Sequence, residues 1–495
     1  MPEFTIGVDI GTTGTKTVLV DVTDGRIAAQ ASRDSRLYAD HPGQAEADPA
    51  QWLANTGETI RAVLTESGAS ADDVRALATT GMVPAVLAVD RAGRPVRRAI
   101  LQNDSRATAQ IDQLSAAMEG TDVLAATGSA ITQQSVAPTA MWLRTHEPDT
   151  WARTARLVGS YDWVLMALGA APHVELNWAL ESGFGTLDGR PYAPMFAAAG
   201  LSENLQPAIL APGAHAGVLS AEAAGITGLR AGLPLIVGGA DHVLSAYAAG
   251  VNTAGDWLVK LGGAGDVLAA SDRPVADARL YLDAHPVPGR WLPNGCMATS
   301  GSLIRWFQTL AGGVDLLDLD AEALHRNPAE ILCLPYFLGE KSPLHDPDLR
   351  GAFVGLDLAH TRADMYRSVL EAVAFGFRHH TEVFADVGVP LRRAMVTNGG
   401  SRSTLWKQIL ADVLDTELWP VVGHPGASLG AAVIAGIGVG GIADWTQVER
   451  FRTLGKPIVP DPRQVDRYAE AYAEWRTLGN VLTPVSHRLA RKARS

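Results

Sequence analysis

The sequence predicts an α/β fold built as two similar halves, and three observations carry that prediction. Strand-like and helix-like segments alternate through the first half. An apolar strand, a glycine turn and a second apolar strand open the chain at 6–21 (IGVDIGTTGTKTVLVD). The same shape recurs about half a chain later at 257–271 (WLVKLGGAGDVLAAS). Finally, 495 residues exceed what one hydrophobic core usually holds, so two large domains are expected. They are assigned to 1–249 and 250–495, with the boundary in the small, polar stretch AAGVNTAGD at 248–256.

The elements follow in chain order. Ile6, Val8 and Ile10, then Val18 and Val20, alternate as half-buried strands do. Asp9 interrupts the first of them, and a carboxylate inside a strand is costly unless something answers it. Asp48 before Pro49 marks the start of a helix through DPAQWLANTGETIRAVLTESG, with Trp52, Thr56, Ile60, Val63 and Leu64 near helical spacing. RALATTGM and AVLAVDRAG read as strand, turn, strand, and RLVGSYDWVLMALG as a strand end running into a helix. At 396–419 a strand ends at Thr397, Asn398, Gly399 and Gly400 turn, and Ser401 or Ser403 caps a helix. Leu405, Ile409 and Val413 line one face of that helix. PGASLGAAVIAGIG is a further glycine-opened helix. GIGVGG at 436–441 matches a dinucleotide-binding string, but it follows a helix rather than a strand and reads as helix packing and ending.

Composition excludes several classes. With 47% hydrophobic and 19% charged residues the chain is expected to fold. A net charge of −12 leaves no basic excess for nucleic acid. The one basic run, the tail HRLARKARS, is expected to be a solvated end. Cys296 and Cys333 have no metal spacing and are expected to be buried, reduced thiols of a cytoplasmic protein. The start MPEFTIGVDIG enters a strand directly, so no leader is expected, and no run of 18 apolar residues predicts a membrane span. Trp52, Trp142, Trp178 and Trp306 are expected in the core.

Four glycine turns meet helices or hairpins, at 11–14, 262–265, 399–400 and 426–430. Spread over both halves, they point to a phosphate-rich ligand held between two domains. No Walker loop is present. Asp241 follows the apolar run LPLIVGGA, just past a strand end. Locally it reads equally as a helix cap or as a carboxylate able to take a proton.

GVDIGTTGTK resembles the first phosphate loop of the FGGY sugar kinases, which have duplicated actin-like ATPase domains. Four further stretches resemble that family in order: AILQNDSRA, VGGADHVLSA, LPYFLGEKSPLHDPDLRGAFVGL and NGGSRSTLWKQILAD. The resemblance implies two actin-like, ribonuclease H-like domains around a central cleft. The implied activity is ATP-dependent phosphorylation of a small sugar with Mg²⁺, in an enzyme that forms a homodimer. It implies Asp241 as the catalytic base and Asp9 at the metal; His242, next to Asp241, reads equally as a substrate contact or as a packed neutral histidine. Gly11, Thr12, Thr13, Gly14 and Lys16 would meet the phosphates, with Lys16 alternatively turned to solvent. Gly262 and Gly263, with Ala264, would form a second phosphate hairpin lacking the family's hydroxyls. Gly399, Gly400 and Ser401 would flank adenosine; Met82, Asn103 and Asp104, with Arg106, would line the sugar site. In GEKSPLHDPDLRG, Glu340, Lys341, Asp346 and Arg350 are expected to serve a structural loop more than the cleft.

The likeness is strongest to the xylulokinases, which implies conversion of D-xylulose to D-xylulose 5-phosphate. That branch carries Gln-Met-His-Gly where this chain has Met82, Val83, Pro84 and Ala85, and a Trp where it has Gln102. Ribulose, erythrulose or a glycerol-like polyol therefore stand as alternative substrates. An actin- or chaperone-type ATPase and a silent sugar-binding regulator stand as alternative classes.

Overall fold

The computed structural model describes residues 3–494. Two sheets form its frame. The first is built from β1 (Phe4–Ile10), β2 (Gly14–Asp21), β3 (Arg26–Asp34), β4 (Val74–Gly81), β5 (His215–Val218) and β6 (Pro234–Ala240), in the order β5-β6-β4-β1-β2-β3. The second contains β7 (Asp256–Leu261), β8 (Gly265–Ala269), β9 (Tyr281–Ala284), β10 (Trp291–Met297), β11 (Arg393–Thr397), β12 (Leu418–Val422) and β13 (Thr453–Leu454), in the order β9-β10-β8-β7-β11-β12-β13. The wiring is the same in both. β1 pairs antiparallel with β2 and parallel with β4, and β4 runs parallel to β6. Likewise β7 pairs antiparallel with β8 and parallel with β11, and β11 runs parallel to β12. The repeated hairpin is thus the visible part of a duplicated domain.

Helix α1 (Pro49–Ser67) begins as its sequence requires: Asp48 accepts from the Ala50 amide and Pro49 occupies the first turn. α2 (Leu176–Glu181) and α3 (Asp241–Ala249) also belong to the first half; α3 follows β6 without a loop. In the second half lie α4 (Gly301–Leu310), α5 (Arg362–Asp386), α6 (Thr404–Leu414), α7 (Ala427–Gly438) and α8 (Pro462–Arg494).

Several expectations change. β1 is not half-buried: Thr5 as well as Ile6, Val8 and Ile10 is sealed from solvent. The reason is α7, which lies across β1 on its second face and joins the first hydrophobic core although it comes late in the chain. Gly7 makes this approach possible, since a Cβ there would stand 2.0 Å from the Ser428 carbonyl oxygen and 2.4 Å from the Ala432 nitrogen. The basic tail is solvated at Arg488, Arg491 and Lys492, as expected, but it is helical and partly docked. It continues α8, with Ala490 buried and His487 Nε2 2.7 Å from Asp346 Oδ2; Ser495 lies outside the described residues. The apolar face of α8 explains the docking, because Tyr468, Tyr472 and Trp475 enter the second core. Trp52 and Trp178 are buried as expected, whereas Trp306 is exposed and Trp142 is half-buried, stacked on His146. Cys333 is buried; Cys296 is only partly so, and both are free thiols. Among the described residues no helix is long and apolar enough to cross a membrane.

Candidate active site

The first hairpin is closed by the Gly11 amide donating to the Gly14 carbonyl at 2.9 Å, which leaves Thr12 and Thr13 at its tip. The strand register sets Asp9 opposite Lys16. Asp9 Oδ1 is sealed from solvent and accepts no hydrogen bond from the protein. Burial, reinforced by the Asp241 charge and opposed by Lys16 and Lys260, pushes its carboxyl up to about 7. Lys16 does not turn to solvent: Nζ donates to the Pro425 carbonyl at 2.7 Å, just before α7. Burial lowers its pKa despite the pull of Asp9.

The second hairpin repeats the plan with the signs exchanged. Lys260 and Asp266 face each other in register, Nζ to Oδ2 at 3.3 Å. Burial opposes the charge on both side chains. Asp266 and Asp241 nevertheless hold Lys260 above its usual pKa, and Lys260 holds Asp266 below its own. The start of α4 docks under this hairpin. The Ser300 and Ser302 amides donate to the Gly263 carbonyl at 2.9 and 3.0 Å, and the Gly301 amide donates to Gly262 at 2.8 Å. Gly263 is exposed, with nothing near the place of a Cβ, so its backbone is open to a ligand. Lys260 and the Ser300–Ser302 segment escaped the sequence reading. The usable signal was positional, since Lys260 precedes Gly262 by the spacing at which Asp9 precedes Gly11.

Asp241 is the first residue of α3, and its side chain is about 35% exposed. Its charge acts on Asp9, Lys260 and Glu181, so the two hairpins and the end of β6 converge on one charged centre. His242 Nδ1 lies 3.5 Å from Asp241 Oδ1, and its Nε2 lies 2.8 Å from Asp283 Oδ2 on β9.

The remaining residues divide. Gly399–Arg402 form a tight 3-10 turn at the end of β11, after Asn398 at φ 72°. Gly400 packs where a Cβ would strike Trp406 and Leu261, whereas Gly399 is open. Ser401 Oγ donates back to the Asn398 carbonyl at 2.6 Å, and it is Ser403 that caps α6. A cavity of about 720 Å³ begins next to this turn at Arg402 and Thr404 and runs between Asp320 and Gln408. Of the residues expected at the sugar, Asn103 is exposed while Asp104 is buried. Asp104 Oδ2 accepts from the Ala45 amide and Arg106 Nη2, both at 2.7 Å. Its Oδ1 accepts from the Arg106 amide and Nε at 2.9 and 2.8 Å, and Arg106 also pairs with Glu46. A sugar hydroxyl would have to share these oxygens. Met82 is fully buried, its sulfur accepting from the Thr12 hydroxyl at 3.7 Å. Trp178 Nε1 donates to the Ala85 carbonyl at 2.9 Å, bracing the wall rather than offering a platform. Gln102 Oε1 is buried without a partner, a polar group the wall retains. The 340–350 loop is structural. Glu340 accepts from the Ala298 and Lys341 amides, Asp346 pairs with His487, and Arg350 donates to the Pro347 and Leu349 carbonyls.

Asp9 fits a divalent cation of the hard, oxygen-seeking kind. It is a carboxylate with an unpartnered oxygen, raised in pKa by burial and by the Asp241 charge, at the mouth of a glycine hairpin.

Residues 4–248 match the N-terminal domain of the FGGY family of carbohydrate kinases, and 258–439 match its C-terminal domain. A crystal structure of xylulose kinase from Rhodospirillum rubrum superposes with a TM-score of 0.92 at 40% identity, covering 98% of this chain and 100% of that one. "Xylulose kinase" of Bacillus subtilis is 25% identical over 94% of both chains. "L-xylulose/3-keto-L-gulonate kinase" of Escherichia coli is 25% identical over 97% of both. The chain is a sugar kinase and belongs to the FGGY family of carbohydrate kinases.

Proposed function

We propose that this enzyme transfers the γ-phosphoryl group of ATP to a ketopentose, D-xylulose giving D-xylulose 5-phosphate, with Asp241 as the general base. The observation that carries the reading is Asp241 itself. It is a part-exposed carboxylate at a strand-to-helix junction, electrostatically joined to Asp9 and Lys260 at the roots of the two glycine hairpins. The names of the relatives favour xylulose. The apolar Val83–Pro84 segment, without an imidazole, favours a ketose or polyol with fewer hydroxyls to satisfy as the second reading.

In this mechanism the sugar hydroxyl loses its proton to Asp241 Oδ as it attacks. Amides and hydroxyls of Gly11, Thr12, Thr13 and Gly14 hold the phosphates from one side, and the Gly262–Gly263 backbone holds them from the other. Lys16 and Lys260 offset charge that accumulates between the hairpins. Gly399, Gly400 and Ser401 would border adenosine; Met82, Asn103, Asp104 and His242 would border the sugar. Asp9 would hold Mg²⁺, which supplies charge neutralisation to the phosphates when bound. Two free thiols accord with action in the cytoplasm.

The test is ADP release with Mg-ATP over a panel of D-xylulose, L-xylulose, ribulose, erythrulose and glycerol, for the native chain and Asp241→Asn. Sugar-dependent turnover that falls at least about 10³-fold in the variant is expected. Sugar-independent ADP release equal in both proteins would sink the reading and favour a conformational ATPase.

A further inference from the structure

We propose that Asp283, a residue of the second half of the chain, orients Asp241 through His242. It then acts as a positioning residue for phosphoryl transfer. The inference rests on reading Asp241 as the base.

The geometry is a line of three groups. Asp283 is buried, 1% exposed, and its Oδ2 accepts from Asn294 Nδ2 at 2.7 Å on the neighbouring strand β10. The same oxygen stands 2.8 Å from His242 Nε2. The other imidazole nitrogen, Nδ1, stands 3.5 Å from Asp241 Oδ1. A ring with a carboxylate oxygen at each end is suited to carry a proton on both nitrogens. It then holds Asp241 by charge from behind and leaves the rest of that carboxylate for the substrate.

The segment bearing Asp283 is fastened so that this line cannot drift. Asn177 of α2 clamps Ala284 on both backbone groups: its Nδ2 donates to the Ala284 carbonyl at 3.0 Å, and its Oδ1 accepts from the Ala284 amide at 2.7 Å. His285 Nε2 lies 2.7 Å from the Val251 carbonyl. Three successive residues, Asp283, Ala284 and His285, therefore each grip a different segment of the chain before β7. Glu181, at the end of α2, completes the surroundings, with Oε1 3.8 Å from His242 Nε2.

Glu181, His242 and Asp283 bring ligand-type atoms within 4.8 Å of one another, which raises the question of a metal. The contact between Nε2 and Asp283 Oδ2 has hydrogen-bond length, so these two groups already pair with each other. The electrostatics agree. Burial works against a charged His242, yet Asp283, Asp241 and Glu181 together hold its pKa well above the usual histidine value. Burial and the Asp283 charge push Glu181 well above its ordinary value. Farther out, Asp266 on β8 feels the His242 charge, and Lys260 on β7 is paired with Asp266. Removing the Asp283 charge should lower the His242 pKa, because burial then meets less opposition.

The experiment is a pH–rate profile from 5.5 to 9 for the native enzyme, Asp283→Asn, Asp283→Glu and Asp241→Asn. It uses Mg-ATP and whichever ketose of the panel turns over fastest. His242 is followed in parallel by ¹⁵N resonances in histidine-labelled protein, assigned by their loss in His242→Asn. The native enzyme should keep His242 protonated at pH 8. Asp283→Asn should lose about tenfold or more in kcat at pH 8 and recover toward native activity at pH 6, with the KM for ATP unchanged. Asp283→Glu should restore most of the activity. An Asp283→Asn profile parallel to the native one, or a His242 that titrates alike in both, overturns the inference while leaving Asp241 as base. Full activity of Asp241→Asn overturns the reading beneath it.

Discussion

The two hairpins are copies in backbone and opposites in electrostatic state. In the first, the acid is on the leading strand and the base on the returning one; in the second the order is reversed. The second pair is closed: Lys260 meets Asp266 at 3.3 Å, and Asp266 is driven below its usual pKa. The first pair is open: Lys16 is diverted to the Pro425 carbonyl and Asp9 Oδ1 has no protein partner. The closed pair satisfies its charges within the protein, whereas the open pair leaves Asp9 Oδ1 without a hydrogen-bond donor. Duplication supplied two equivalent frames, and what distinguishes a ligand site from a brace is whether the partner charge is pulled away.

Four substitutions break or sharpen this comparison. Asp9→Asn should have the largest effect, lowering kcat by about 10³-fold. It should also stabilise the metal-free protein. The Asp9 carboxyl rises from 3.8 to about 7 on folding. Between those values the folded state therefore binds a proton that the unfolded state does not, and stability falls as pH rises through that window. The variant removes the penalty, so its melting temperature without Mg²⁺ should exceed that of the native protein by roughly 2–4 °C at pH 8 and by little at pH 4. An unchanged or lower melting temperature at pH 8 would mean that Asp9 is not held against its charge.

Lys260→Met should cost about 2–3 kcal/mol by denaturant unfolding, because it strands Asp266 beside a buried strand. The double variant Lys260→Met/Asp266→Leu should recover most of that, and failure to recover would show that Lys260 serves more than the pair. Gly7→Ala should destabilise by about 1–3 kcal/mol, since the new methyl meets the α7 backbone at 2.0 Å. Ala264→Thr should have the smallest effect. A hydroxyl at the second hairpin's tip should lower the KM for ATP about fivefold with kcat unchanged, one ordinary hydrogen bond being worth about 1 kcal/mol.

Much of this was legible in order along the chain. The hairpins, Asp48–Pro49 and the Ser403 cap are local signals, and local signals are what spacing and turn chemistry record. The unread parts depend on distant partners. Period-2 alternation in β1 suggested one buried face, and nothing within 6–21 announces that residues 427–438 cover the other. Asp104 looked free to read hydroxyls because Ala45 and Glu46, which help occupy the Asp104–Arg106 pair, lie far upstream. Lys16 could be placed in solvent or cleft only once Pro425 was seen. Asp283 carried no motif at all; its meaning comes from the ring that meets it.

The seat of α7 against β1 has a consequence for biogenesis. The first sheet cannot cover its second face until residue 438 has been synthesised, so the earliest strands wait for most of translation with Val18 and Val20, which share the face of Gly7, beside an unfilled seam. A gene cut at residue 249 would yield a fragment carrying that seam as an exposed greasy stripe, prone to aggregate. A fragment from 250 onward would bear α7 with nothing to lie upon. The two halves share one wiring, yet α7 ties the second of them into the core of the first.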